Sequence, residues 1–171
     1  MSPSQPLSTQ PDEEVFISRT FDVPRELVFQ AWSDASHLEQ WYAPPGCSIH
    51  FRKLDFRVGG SFHSCIRIPN GHECWCTGEY LEIVAPERIV FTMAVADAEG
   101  NFADPVKMGM DPEWPAQTVV TVTLTEELGK TKLVLHQTVR ESLARKTGAY
   151  PSWLQMLDRL ATELAASAMP Q

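Results

Sequence analysis

Apolar residues along this chain change their period from one stretch to the next, and each period marks an element. Near the C-terminus Trp153, Leu157, Leu160 and Leu164 recur at steps of three and four behind Pro151. That spacing predicts a helix over 151–169 with one apolar face, since proline loses no hydrogen bond at a first helical position. Asp158, Arg159, Thr162 and Glu163 fall between the apolar positions and leave the other face wet, so the stripe must be buried against something that precedes it.

What precedes it reads mostly as strand. Val15, Ile17 and Phe21 alternate; Pro24 then opens a short helix carrying Leu27, Val28, Ala31 and Trp32, and Asp34 caps a second one that runs to Trp41. Pro44, Pro45 and Gly46 stop it. From Ser48 the period is two. Gly59 and Gly60 permit a bulge or bend, and two strands, about 61–68 and 73–84, flank Pro69-Asn70-Gly71, the chemistry of a three-residue hairpin loop.

That loop fixes a register. Ile68 meets His72, Arg67 faces Glu73, Ile66 faces Cys74 and Ser64 faces Cys76. A two-residue Asn-Gly loop would instead require an N–H from Pro69. Phe62, Ser64, Ile66, Cys74, Cys76 and Tyr80 then share the inner face, and His63, Cys65, Arg67, Glu73, Trp75, Thr77 and Glu79 the outer one. Ile89, Phe91 and Met93 continue the alternation, as do Val120, Val122 and Leu124, then Leu133 and Leu135. Gln137 is in phase with those leucines and brings a polar group inward. Residues 97–116 are too long for a plain turn, yet Phe102, Met108, Met110 and Trp114 need a dry surface. A lid over a cavity and a contact with a second subunit both satisfy them, with packing on the outside of their own sheet as a third reading.

The chain of 171 residues suits one core. A net charge of −8 argues against an electrostatic grip on nucleic acid or anionic lipid. No apolar run approaches membrane-spanning length, and the first residues lack the order of a secretory signal, so a cytoplasmic protein is expected. Residues 1–13 hold almost nothing apolar and are expected to form a disordered tail before a single domain over 14–169.

Several stretches look familiar. Phe21-Asp22-Val23-Pro24 with Val28 and Trp32, Leu38 to Trp41 with Pro44, Asp55-Phe56-Arg57-Val58-Gly59-Gly60, Gly78 with Glu82 and Pro86-Glu87-Arg88, Phe91-Thr92, and Trp153 with Leu157-Asp158-Arg159-Leu160 occur in an order that resembles the START or Bet-v-1-like superfamily, in the branch named after the activator of the heat-shock chaperone ATPase. The resemblance implies an α+β helix-grip fold: a curved antiparallel sheet wrapped around a long C-terminal helix, with two short helices after the first strand. It implies a cavity between helix and sheet that holds apolar or amphipathic small molecules, and it supplies no shared catalytic motif. The namesake activity belongs to larger proteins with an added chaperone-binding domain, for which this chain is expected to have no room.

On this reading the cavity is lined by Phe62, Ser64, Ile66, Cys76, Tyr80, Phe91, Val122, Leu135 and Gln137, with Trp153 and Leu157 as its helical wall. Cys74-Trp75-Cys76 with His63, Cys65 and His72 suggests zinc, but the register sends Cys65 to the face opposite Cys74 and Cys76, so buried thiols acting as small apolar residues are the better reading. Asp55 and Arg57 read as a structural pair at the bend, His136 as a surface histidine, and Glu79 and Glu82 as outer residues without acid or base partners. No nucleophile elbow, phosphate-binding glycine loop or zinc-protease motif is present. A module that binds a small hydrophobic ligand without a cofactor or metal is therefore the first expectation. A pocket enzyme of cyclase or hydrolase type comes next, and a chaperone-ATPase cofactor third. No nucleic-acid or membrane partner is expected; a homodimer is the alternative use of 97–116.

Overall fold

The structure, a computed structural model, describes residues 13–168. The tail expected over 1–13 lies outside these residues except for Glu13, whose carbonyl accepts a hydrogen bond from the Glu141 N–H at 2.8 Å.

The first strand, β1 (Glu14–Phe21), is followed by helices α1 (Arg25–Ala31) and α2 (Ala35–Trp41). Strands β2 (Ser48–Leu54), β3 (Ser61–Arg67), β4 (Glu73–Val84), β5 (Arg88–Ala96), β6 (Gln117–Glu127) and β7 (Lys130–Arg140) come next, then helices α3 (Glu141–Thr147) and α4 (Ala149–Ala168). Among the described residues these strands form one antiparallel sheet in the order β1-β7-β6-β5-β4-β3-β2. The first strand thus pairs with the last, and α1 and α2 carry the chain to the opposite edge. With α4 buried along one side, this is the α+β helix-grip fold.

Local chemistry accounts for the joints. Pro24 is the residue before α1, in an extended conformation, and the Asp34 carboxylate accepts from the His37 N–H at 2.8 Å to cap α2. The β3–β4 register is the one the turn dictates: Ile68 donates to the His72 carbonyl, and Arg67, Ile66 and Ser64 face Glu73, Cys74 and Cys76. Gly78 sits where β4 crosses the ring of Phe62; a Cβ there would collide with the Thr92 carbonyl. At the bend, Arg57 pairs with Asp55 at 2.7 Å in the open.

The helical stripe is buried as the spacing requires, with Met156 added to Trp153, Leu157, Leu160 and Leu164. Two readings need correction. The helix begins at Ala149, so Pro151 is its third residue, still inside the first turn where N–H groups have no intrahelical acceptor. Arg159 is not on a wet face: its guanidinium donates to the carbonyls of Gln40, at 3.0 Å, and Ala43, at 2.6 Å, and so satisfies the C-terminal end of α2. Helix α3 was not anticipated. Leu143 and Ala144 bury one side of it, Arg145 and Lys146 occupy its last turn, and Gly148 ends it in a left-handed conformation, φ 90°.

Candidate functional site

The space between sheet and α4 is divided. At its deep end Trp32, Tyr42, Phe62, Tyr80 and Phe91 meet in tilted and edge-to-face contacts with ring centroids 5.8–6.4 Å apart, a favourable arrangement that leaves little room. The void among them and Ile89 is about 20 Å³, no more than a water molecule needs. Phe62, Tyr80 and Phe91, expected as a ligand-lined wall, therefore pack mainly on one another. Val122, Leu135 and Leu157 have no exposed surface and fill the interface between sheet and helix; Ser64 is buried as well. None of these four lines the spaces described here.

The room lies at the other end. Two adjoining compartments, of about 230 and 140 Å³, share Ile66, Met93, Trp114 and Gln137. Cys74, Cys76, Met110 and Thr118 complete the larger. Tyr42, Ser152, Trp153 and Met156 complete the smaller, so Tyr42 forms the partition between the packed end and the open one. Together the compartments reach the lower part of the range of roughly 300–1,000 Å³ common for small-molecule sites. Of the residues expected to form the cavity, Ile66, Cys76, Gln137 and Trp153 are here. Met93 and Thr118 were legible as inner positions, in phase with Phe91 and with Val120; Tyr42 and Ser152 carried no such signal.

Residues 97–116 form a strap of successive turns. Its beginning folds over the outer face of the sheet: the His63 ring bonds the Asp97 carbonyl through Nε2 at 3.0 Å and lies against Trp75 at 4.9 Å, while Arg52 donates to the Ala98 carbonyl at 2.6 Å. His63, assigned to an outer face, is thus buried beneath that loop, and Cys65 on the same face is buried too. The end of the strap turns the other way and sets Met110 and Trp114 into the larger compartment. Phe102 lacks the dry surface expected for it and is 75% exposed.

The compartments carry polarity without charge. Among the described residues no Asp, Glu, Lys, Arg or His lines either one. Burial pushes the Cys76 thiol up to about 12, against a lowering hydrogen bond from the Ala94 backbone, and raises the Tyr42 hydroxyl well above its ordinary value. Both are neutral near pH 7, and Cys76 is no nucleophile there. The buried Gln137 amide accepts from Trp153 Nε1 at 2.9 Å and donates to Thr118 Oγ1 at 3.1 Å. Among the described residues no three His, Cys, Asp or Glu side chains stand where they could hold a metal ion, and Cys65 faces away from Cys74 and Cys76, opposite Trp75.

Residues 22–165 match the model of the family described as activator of Hsp90 ATPase homolog 1-like protein. The chain belongs to that family. It shares the fold of the wider START or Bet-v-1-like superfamily, which commonly binds hydrophobic ligands. Among solved structures, a Chromobacterium violaceum protein is 25% identical with a TM-score of 0.72, covering 88% of this chain and 95% of its own. A Staphylococcus epidermidis protein is 24% identical at a TM-score of 0.75, covering 95% of both chains. The protein titled AHSA1 from Silicibacter pomeroyi is 22% identical at 0.71, covering 91% of this chain and 99% of its own. No curated protein matches. Among the described residues of this family member no helix is long and apolar enough to cross a membrane.

Proposed function

We propose that this protein is a binding module that takes a small apolar or amphipathic molecule into the two compartments at the open end of the grip. The observation that carries the reading is their wall. Thioether, thiol and indole groups from Met93, Met110, Cys76, Trp114 and Trp153 surround a space that, among the described residues, no charged side chain lines. Such side chains adapt to the shape of a guest and gain from burying it. The end of the strap closes over that space, so we read Met110 and Trp114 as a lid in preference to a subunit contact. The uncharged, thiol-neutral lining supports binding over acid–base chemistry, and the expected setting is the cytoplasm.

The test is a melting series against a library of small hydrophobic molecules. A guest at a hundred times its dissociation constant adds about 2.7 kcal/mol, and for a chain of this size that raises the midpoint by roughly 5–10 °C. Replacing Ile66 with Trp, which fills the shared wall, should abolish the shift. If no member of the library moves the midpoint, binding is not the function.

A further inference from the structure

We infer that the guest presents a neutral hydrogen-bond-accepting oxygen, as in a ketone, ester or ether, to the hydroxyl of Thr118. The inference rests on the binding reading above and deepens it.

Three side chains fix one another's hydrogen-bonding roles in turn. An indole nitrogen can only donate, so the Gln137 atom 2.9 Å from Trp153 Nε1 is the amide oxygen. The amide nitrogen therefore points the other way, at Thr118 Oγ1, 3.1 Å distant. That nitrogen brings only hydrogens, so the Thr118 oxygen accepts and its own hydrogen cannot turn back toward Gln137. Trp153 on the helix thus decides, through Gln137 on β7, that Thr118 on β6 is a donor toward something else.

Among the described residues nothing accepts that hydrogen. Thr118 is 2% exposed, so only what occupies the compartment it lines can approach it. Thr131, equally buried in the same sheet, shows the ordinary solution: its hydroxyl donates to the Val23 carbonyl at 2.7 Å. Thr118 instead lines the larger compartment beside Gln137, and a buried donor without an acceptor is costly enough that a guest supplying one is favoured.

The charge of that acceptor follows from the rest of the wall. Among the described residues no Lys, Arg or His lines the compartment to meet a carboxylate, and an unpaired ion against an apolar wall is disfavoured. A neutral oxygen requires no counter-charge. The site therefore selects a neutral oxygen-bearing apolar molecule over both its pure hydrocarbon counterpart and its acid.

Three probes on one ring system separate the possibilities by calorimetry: 2-acetylnaphthalene, its carbon isostere 2-isopropenylnaphthalene, and 2-naphthoate. The ketone should bind about tenfold more tightly than the isostere, as expected for one hydrogen bond lost with its donor left buried, and the carboxylate should bind more weakly than the ketone. Thr118→Val, which keeps the shape, should erase the preference by weakening the ketone alone; Thr118→Ser should restore it. Equal binding of ketone and isostere to the unaltered protein, or tightest binding of the carboxylate, overturns the inference and leaves the binding reading standing. Binding of none of the three overturns both. The comparison on the unaltered protein decides the matter even where Thr118→Val fails to fold.

Discussion

Arg140 Nη2 donates to Glu113 Oε1 at 2.6 Å, tying the end of β7 to the strap, and Lys146 of α3 holds Asp111 at 3.2 Å two residues earlier. Trp114, which the strap delivers to the cavity, follows directly on Glu113. Arg140, Glu113 and Lys146 are open to solvent and only Asp111 is tucked in, so water and salt screen these pairs and they add little to stability. Arg140→Ala with Lys146→Ala should thus lower the melting midpoint only slightly and yet speed the release of a bound probe in stopped-flow measurements. Met108, Met110 and Trp114 replaced by Ser should do so more strongly, with unchanged mass by light scattering. A shift in mass would mean that these side chains hold a second subunit.

The Trp153–Gln137–Thr118 relay is a stability element as well. Gln137→Leu leaves the buried Trp153 N–H without its acceptor and should cost about 1–3 kcal/mol in urea unfolding. Trp153→Phe in the Gln137→Leu background should cost less than it does alone, because the bond is already gone. Strictly additive losses would show that the two side chains act independently.

Gly78→Ala should cost more than the roughly 1–3 kcal/mol typical of an overpacked core position. The added methyl meets the Thr92 carbonyl and lies 2.5 Å from Phe62 Cε2. The backbone there has no flexible neighbour to yield. A melting midpoint within a degree of the parent would show that β4 and β5 can part without penalty.

Alkaline pH should destabilise the protein in a window to which the buried Cys76 contributes most, ahead of the upward shifts that burial gives Cys65 and Cys74. Its thiol releases a proton near 9.0 ordinarily and near 12 in the fold, so between those values the unfolded chain has given up a proton that the native one keeps. The unfolded state then binds fewer protons, and stability falls as pH rises; below pH 9 this contribution is flat. The raised hydroxyls of Tyr42 and Tyr80, also buried, add to the fall from about pH 10. Cys76→Ala should flatten the urea midpoint between pH 9 and 10 relative to the parent. Parallel curves would show that this thiol does not carry the effect.

The fold was legible in the sequence where periodicity and turn chemistry agreed. Pro69-Asn70-Gly71 determines which side chains of β3 and β4 share a face, and the step pattern from Trp153 to Leu164 determines which face of α4 is dry. Helix α3 was missed because seven residues give too few turns for a period to stand out from a strand end. The site was legible in part. Alternation reveals that Phe62, Tyr80, Val122 and Leu135 face inward, and it cannot reveal whether an inward side chain borders space or another side chain. That depends on how far α1 and α2 bring Trp32 and Tyr42 across the deep end, a long-range packing outcome with no local signature. Residues 97–116 carried the need for a dry surface but not its location, which the ion pairs to Arg140 and Lys146 help to fix.

Tyr42 borders both the packed void and the smaller compartment. On the proposed binding reading a guest entering under the strap would meet that ring as a stop, and the position of Tyr42 would limit the length of what fits. The stop is one side chain on the turn after α2, outside the sheet and the long helix, so descendants of this chain could lengthen or shorten their ligands by changing it while every strand keeps its register.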